Sequence, residues 1–362
     1  MKRSVFAISV ALLFASLLLN TAQDTHVSAQ AKTPTPTPSA TLFKPTPPVL
    51  REDDEVIRID TELVNLNVRV IDRNNRPINN VPEKDFRIYE DGVLQKIDFF
   101  SKSEVPTNYG LVIDNSGSLR QQLDQVIEAG KILVNTNRPD DETMIIRFVS
   151  SDKIAIEQEF TANKTDLIDR LENLYIEGGQ TAVIDALYLA VEKTDEYERT
   201  RSSDASKRRA LVLVTDGEDR NSFYTEKQLF ELLRESEVQI YIIGFVEELS
   251  KEGGFISSSP QKKAKAFLQR IADESGGKLY MPKSTTELPD IARQISSELR
   301  TQYSIGYIPS NDRKDGTYRN IKVSVTDGPN SQKRIAVHRA GRTAEGGSAQ
   351  APPKPAPTTK SP

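Results

Sequence analysis

The sequence predicts an α/β protein in which a doubly wound, mostly parallel sheet is inserted in a small β-sandwich-like domain formed by both flanks. Two observations carry this expectation. Between Pro106 and about Arg300, short runs of branched apolar residues alternate with segments of helical periodicity, the pattern of a parallel sheet covered on both faces. On either side of that stretch, apolar and polar residues alternate with a period of two and no helix intervenes.

Taken in order, residues 1–29 have the pattern of a signal peptide. Lys2 and Arg3 precede an apolar stretch from Val5 to Leu19, and Val27-Ser28-Ala29 supplies the small residues of a cleavage site. The alternative is an uncleaved membrane anchor, because no charge falls between Ser4 and Gln23. Both readings export the folded part, to the periplasm, the cell surface or the medium. Residues 30–55 are rich in Thr and Pro, which favours an extended linker.

The segment 56–105 is expected to form the first half of the sandwich. Leu63 to Val70 alternates apolar and polar residues, Asn74-Asn75-Arg76-Pro77 makes a turn, and Asp91-Gly92 separates the strands Phe86–Glu90 and Gln95–Phe99 as a hairpin. The segment 301–340 supplies the second half, with strands at Tyr303–Ile308, Ile321–Val325 and Arg334–Val337. Either half alone has too few strands to enclose a core, so the two must pair. Residues 341–362 are poor in large apolar residues, and a disordered tail is expected there.

Within 106–300, buried strands are expected at Tyr109–Ile113, Met144–Val149, Ala210–Val214 and Val238–Ile243, with an edge strand at Lys153–Phe160. Helical spacing recurs at Leu119, Leu123, Val126, Ile127 and Val134, at Val183, Leu187, Ala190 and Val191, and at Leu288, Ile291, Ile295 and Leu299. A further helix begins near Lys262, Lys263 and Lys265, which form a solvated face, after a loop at 250–260 that is a candidate for shaping partner choice.

Composition narrows the function. The net charge of -4 offers no field to draw in nucleic acid. Without cysteine there is no thiolate site, and with only His26 and His338 most acid–base chemistry lacks its usual imidazole. His338 is expected to be a solvent-facing or satisfied strand residue.

Ligands of doubly wound sheets bind beyond the carboxyl ends of the strands where the winding reverses. Three polar clusters fall there: Asp114-Asn115-Ser116-Gly117-Ser118, Gly178-Gly179-Gln180-Thr181, and Thr215-Asp216-Gly217-Glu218-Asp219. Asp114, Ser116, Ser118, Thr181 and Asp216 offer oxygen donors only. Such a set suits Mg²⁺, with Mn²⁺ or Ca²⁺ as alternatives. Neutral hydroxyls leave the ion under-neutralised and open to a carboxylate from a partner. Asp185 is expected to be a structural hydrogen-bond partner for nearby loops, and the roles of Glu218 and Asp219 stay open.

Asp-x-Ser-x-Ser after a buried strand, a Gly-Gly-Gln-Thr helix start and a strand ending in Thr-Asp-Gly resemble the metal-ion-dependent adhesion site (MIDAS) of von Willebrand factor A-type (VWA) domains. The flanking Asp85-Phe86-x-x-x-Glu90-Asp91-Gly92 and Gln302-Tyr303-x-x-Gly306-Tyr307 are similar to those of exported bacterial VWFA-related proteins. The resemblance implies a Rossmann-like VWA domain in which Asp114, Ser116 and Ser118 hold the metal directly or through water. It makes Thr181 a switchable ligand, and Asp216 acts mostly through water.

The function expected is therefore non-enzymatic: metal-dependent binding of a protein or peptide that supplies an Asp or Glu carboxylate. A structural envelope protein with a vestigial metal site is the alternative. A metal-dependent hydrolase ranks below both, for want of a general base, a phosphate-binding loop or a nucleophile elbow.

Overall fold

A computed structural model describes residues 63–102, 104–200, 207–249 and 259–344. The signal segment, the linker, most of the 250–260 loop and the chain after 344 lie outside the described residues.

The N-terminal flank forms β1 (Val64–Ile71), β2 (Phe86–Glu90), β3 (Val93–Gln95) and β4 (Phe99–Ser101). The inserted domain runs β5 (Thr107–Asp114), α1 (Leu123–Thr136), β6 (Glu142–Phe148), β7 (Ile154–Thr161), α2 (Lys164–Glu172), α3 (Val183–Thr200) and β8 (Arg208–Thr215). It continues through α4 (Glu226–Glu235), β9 (Gln239–Gly244), α5 (Pro260–Ser275), β10 (Lys278–Tyr280) and α6 (Leu288–Arg300). The C-terminal flank adds β11 (Tyr303–Tyr307), β12 (Tyr318–Val325), β13 (Ile335–Val337) and β14 (Gly341–Thr343).

The inserted sheet has the order β10-β9-β8-β5-β6-β7, parallel except for the edge strand β7. Its strands alternate between two cores, as continuous apolar runs require. Leu111, Ile113, Val212 and Val214 pack with α1, α2 and α6 on one face. Val112, Met144, Leu211, Leu213 and Ile240 pack with α3, α4 and α5 on the other. From β5 the chain winds outward to β6, then returns to place β8 on the opposite side of β5. The winding therefore reverses between β5 and β8.

The flanks pair with each other. β13-β1-β11-β4 and β14-β12-β2-β3 form two four-stranded sheets, with β1 antiparallel to β11 and β2 antiparallel to β12. Their shared core takes alternate residues from both ends of the chain: Val64, Leu66 and Val68 from β1, Phe86 and Ile88 from β2, Tyr303, Ile305 and Tyr307 from β11, and Ile321 and Val323 from β12. The flanking motifs are the polar fasteners of this core. Tyr303 accepts from the Val81 N–H at 2.9 Å and donates to the Ile78 carbonyl at 3.1 Å. Tyr307 donates to the buried Glu90 at 2.6 Å. Asp91 and Gly92, with φ of 48° and 83°, make the tight β2–β3 turn.

Two expectations need correction. Gln95–Phe99 is not one strand: the chain leaves β3 in one sheet and enters β4 in the other, and the Asp98 carboxylate accepts the Ile308 N–H at 3.0 Å at the crossing. The segment from Gly341 does not begin as a disordered tail. β14 pairs with β12, and Arg342 donates to Glu90 at 3.1 Å. Backbone pairing and a buried ion pair hold this strand, and neither leaves a mark in apolar composition.

The sandwich meets the inserted domain at the end of the sheet opposite Asp114. Arg208, at the start of β8, donates its backbone N–H to Pro106 and its guanidinium to the carbonyls of Leu299 and Gln302, both at 2.9 Å. Arg69 of β1 pairs with Glu298 of α6, which Lys278 also reaches at 2.6 Å. Gln302 donates to the Tyr241 hydroxyl at 3.0 Å.

Candidate metal centre

The donor cluster forms at the ends of β5 and β8, where the winding reverses. Asp114 is the last residue of β5 and is wholly buried. One of its carboxylate oxygens accepts the Ser116 N–H at 2.9 Å, and the other accepts the Thr215 hydroxyl at 2.8 Å. The first bond curls the loop back on itself, bringing the Ser116 and Ser118 hydroxyls within 2.9 Å of each other. Asp216 follows Thr215 and is buried, with one carboxylate oxygen accepting the Glu218 N–H at 2.9 Å. Ser118 is exposed, so the cluster opens to solvent.

Burial, chiefly, pushes the Asp114 carboxyl up to about 6, the charge of Asp216 adds to the rise, and hydrogen bonds from Ser116 and Thr215 oppose it. A buried carboxylate under the charge of a second one is what a divalent cation relieves.

Thr181 reaches the same rim by its backbone. Its carbonyl accepts the N–H groups of Arg220 at 2.8 Å and Asn221 at 3.2 Å, so the loop after Asp216 folds against it. The approach to Thr181 passes through Gly179, whose φ of 151° is closed to ordinary side chains. A β-carbon there would stand 2.7 Å from Val149. Gly179→Ala is therefore expected to lower stability by about 1–3 kcal/mol and to weaken metal binding with it. Chemical denaturation with and without Mg²⁺ measures both effects.

The residues left open by sequence take definite places. Asp219 accepts the Ile184 N–H at 3.1 Å and the Ser222 hydroxyl at 2.6 Å, satisfying the first turn of α3. Glu218 pairs with Arg220. Asp185 accepts the N–H groups of Phe223 at 2.8 Å and Tyr224 at 2.9 Å, the loop-bracing role expected of it. His338 accepts the Val323 N–H at 3.0 Å, a satisfied sandwich residue far along the chain from these loops.

Sequence reasoning missed two supports. Thr215 bonds Asp114 directly. Asn115, fully buried, donates its backbone N–H to Phe148 and its side-chain amide to the Tyr175 carbonyl at 2.7 Å. Both lie inside the polar clusters, which is the one signal that marked them. An open cleft of about 700 Å³ adjoins the Asp216 loop, lined in part by Gly217, Asp219, Lys263, Phe267 and Arg270.

The donors fit a hard cation. Among the described residues no group of three or more Asp, Glu, His or Cys side chains converges as a metal site. The cluster instead combines two carboxylates with hydroxyls, a set of hard oxygen donors suited to Mg²⁺, Mn²⁺ or Ca²⁺. Asp114, Ser116, Ser118, Thr181 and Asp216 are the residues that would hold it.

Residues 110–294, just over half of the chain, match the von Willebrand factor type A domain. An uncharacterised protein of Synechocystis, sll0103, is 33% identical over 116 residues, which are 32% of this chain and 26% of that protein. The chain thus matches about a quarter of the length of that relative. Among solved structures, an aerotolerance-related membrane protein from Bacteroides fragilis is 19% identical with a TM-score of 0.40, covering 53% of this chain and 98% of that one. A von Willebrand factor type A protein from Catenulispora acidiphila is 11% identical, with a TM-score of 0.43 over 78% and 75% of the two chains. Proximal thread matrix protein 1 from the mussel byssus, in a form with a zinc-occupied MIDAS motif, is 17% identical with a TM-score of 0.43, over 54% and 48%. On the match of its central domain, the chain belongs to the von Willebrand factor type A domain family.

Proposed function

We propose that this is an exported, non-enzymatic binding protein that captures a protein or peptide carboxylate through a divalent cation held by Asp114, Ser116, Ser118, Thr181 and Asp216. The observation that carries the reading is the buried Asp114 carboxylate, braced by Ser116 and Thr215 beside Asp216 at the reversal of the sheet. Mg²⁺ is the ion proposed, because few direct carboxylates and several neutral oxygens leave an octahedral ion with open positions. A partner Asp or Glu fills one of them, and the surrounding loops select the partner.

A binding role is favoured over hydrolysis by what surrounds the cluster. Among the described residues the one histidine, His338, sits in the sandwich and is engaged by Val323. The nearby Glu218 is taken up by Arg220. No helix of the described residues is long and apolar enough to cross a membrane. Export itself rests on the N-terminal sequence.

A thermal-stability titration of wild type and Asp114→Ala with Mg²⁺, Mn²⁺ and Ca²⁺ tests the site. Wild type is expected to gain about 2–3 kcal/mol at a hundredfold excess over Kd, and Asp114→Ala to gain nothing. Equal stabilisation of both proteins refutes the ligand assignment. Self-association that ignores EDTA would favour the structural envelope role.

A further inference from the structure

Two large aromatic side chains stand exposed on the loops that surround the donors: Tyr175 and Phe223, each with 52% of its surface open. Exposing such a ring forgoes its burial, and holding it still costs side-chain freedom. Both are nevertheless anchored. The Tyr175 carbonyl is bonded to the Asn115 amide, and Asn115 lies between the donors Asp114 and Ser116. The Tyr175 ring lies 4.9 Å from the Arg147 guanidinium, which Glu157 and Glu177 each hold at 2.7 Å. The N–H of Glu177 in turn donates to the Asn115 carbonyl at 3.0 Å.

Phe223 is fixed by other means. Its N–H is bonded to the buried Asp185, its ring meets Tyr224 edge-on at 5.2 Å, and Tyr224 stacks on Tyr188 at 3.8 Å. The stretch just before it, Arg220 and Asn221, is bonded to Thr181. Each ring thus stands on a loop tied to the donor loops, Tyr175 through Asn115, the residue between the donors Asp114 and Ser116, and Phe223 through the donor Thr181.

Building on the metal-dependent reading above, we propose that Tyr175 and Phe223 are apolar anchors of the docking face, and that the partner is a polypeptide whose Asp or Glu is flanked by aromatic or long aliphatic residues. A carboxylate on a metal cannot by itself distinguish one acidic surface from another, whereas rings held in place beside it can. Pre-anchored aromatics add contact area with little ordering left to do on binding, which is why such residues dominate binding hot spots.

The test uses the full chain with Mg²⁺ and two short labelled peptides, each with a central Asp, one flanked by Leu and Phe and the other by Ser. By fluorescence anisotropy the apolar-flanked peptide is expected to bind about tenfold tighter or more. The double variant Tyr175→Ser/Phe223→Ser is expected to erase that preference while keeping the wild-type thermal response to Mg²⁺. Equal affinity for the two peptides, or a preference that survives in the double variant, overturns the anchor assignment and leaves the metal site standing. Peptide binding that persists in EDTA or in Asp114→Ala overturns the metal reading on which the anchors depend.

Discussion

In EDTA, the Asp114 carboxylate is expected to cost the fold about 3 kcal/mol at neutral pH, and Asp114→Asn is expected to abolish that pH-dependent cost. The magnitude follows from a carboxyl raised from 3.8 to about 6 by folding, at 1.36 kcal/mol per pH unit. Because the folded value is the higher one, protonation favours the fold. Well below pH 3.8 the group is neutral in both states and imposes no penalty. As pH rises towards 6 the unfolded chain ionises first, and stability drains away until the folded carboxyl has ionised too.

Denaturation of wild type and Asp114→Asn across pH 4–7 in EDTA isolates this component as the difference between the two curves. Mg²⁺ should reverse it above pH 6, where the carboxylate is free to accept the ion, and lose its effect below, where protons compete. Parallel curves for the two proteins in EDTA would mean that Asp114 is better solvated than its burial implies.

The second large effect lies at the other end of the sheet. Glu298→Ala is expected to cost about 3–5 kcal/mol, because it strands the cation of Arg69 in a junction from which water is excluded. Arg69 is 5% exposed and Glu298 6%. Glu298 also accepts from Lys278 at 2.6 Å and the Tyr280 hydroxyl at 3.2 Å, so its loss leaves several donors unmatched. The cost belongs to the cation and donors left without an acceptor, not to the absence of charge. Replacing both partners, as Arg69→Met/Glu298→Leu, is expected to recover the part of the loss due to the stranded guanidinium and to leave the part due to the unmatched Lys278 and Tyr280 donors. Urea denaturation of the single and double variants decides it. A single variant within about 1 kcal/mol of wild type would place the pair in the range of solvent-exposed salt bridges.

These two regions differ in how far the sequence disclosed them. Asp114 and Asp216 were legible because each ends a run of branched apolar residues, and the carboxyl end of a buried strand is a defined place in a wound sheet. Thr215 was equally visible, yet its bond to Asp114 spans 101 residues of sequence and follows from β8 lying beside β5. The exposed Tyr175 and Phe223 carried no periodic signal at all. An isolated aromatic in a loop has the same appearance whether it is buried or presented.

The sandwich shows the same division. Period-two alternation identified its strands, since a sheet with one buried face imposes that spacing on any sequence. It did not reveal that the chain changes sheets between Gln95 and Phe99, nor that Arg342 serves Glu90 from 252 residues away.

The amino-acid sequence by itself determined the layers of this protein, the faces its strands bury and the oxygen donors at the ends of two of them. Those properties depend on neighbours within a few residues. Strand order, the bracing of Asp114 and the burial of Arg69 against Glu298 were decided only by the tertiary structure. Such hydrogen bonds and ion pairs reach barely 3 Å, and only chain topology brings groups so distant in sequence within that reach.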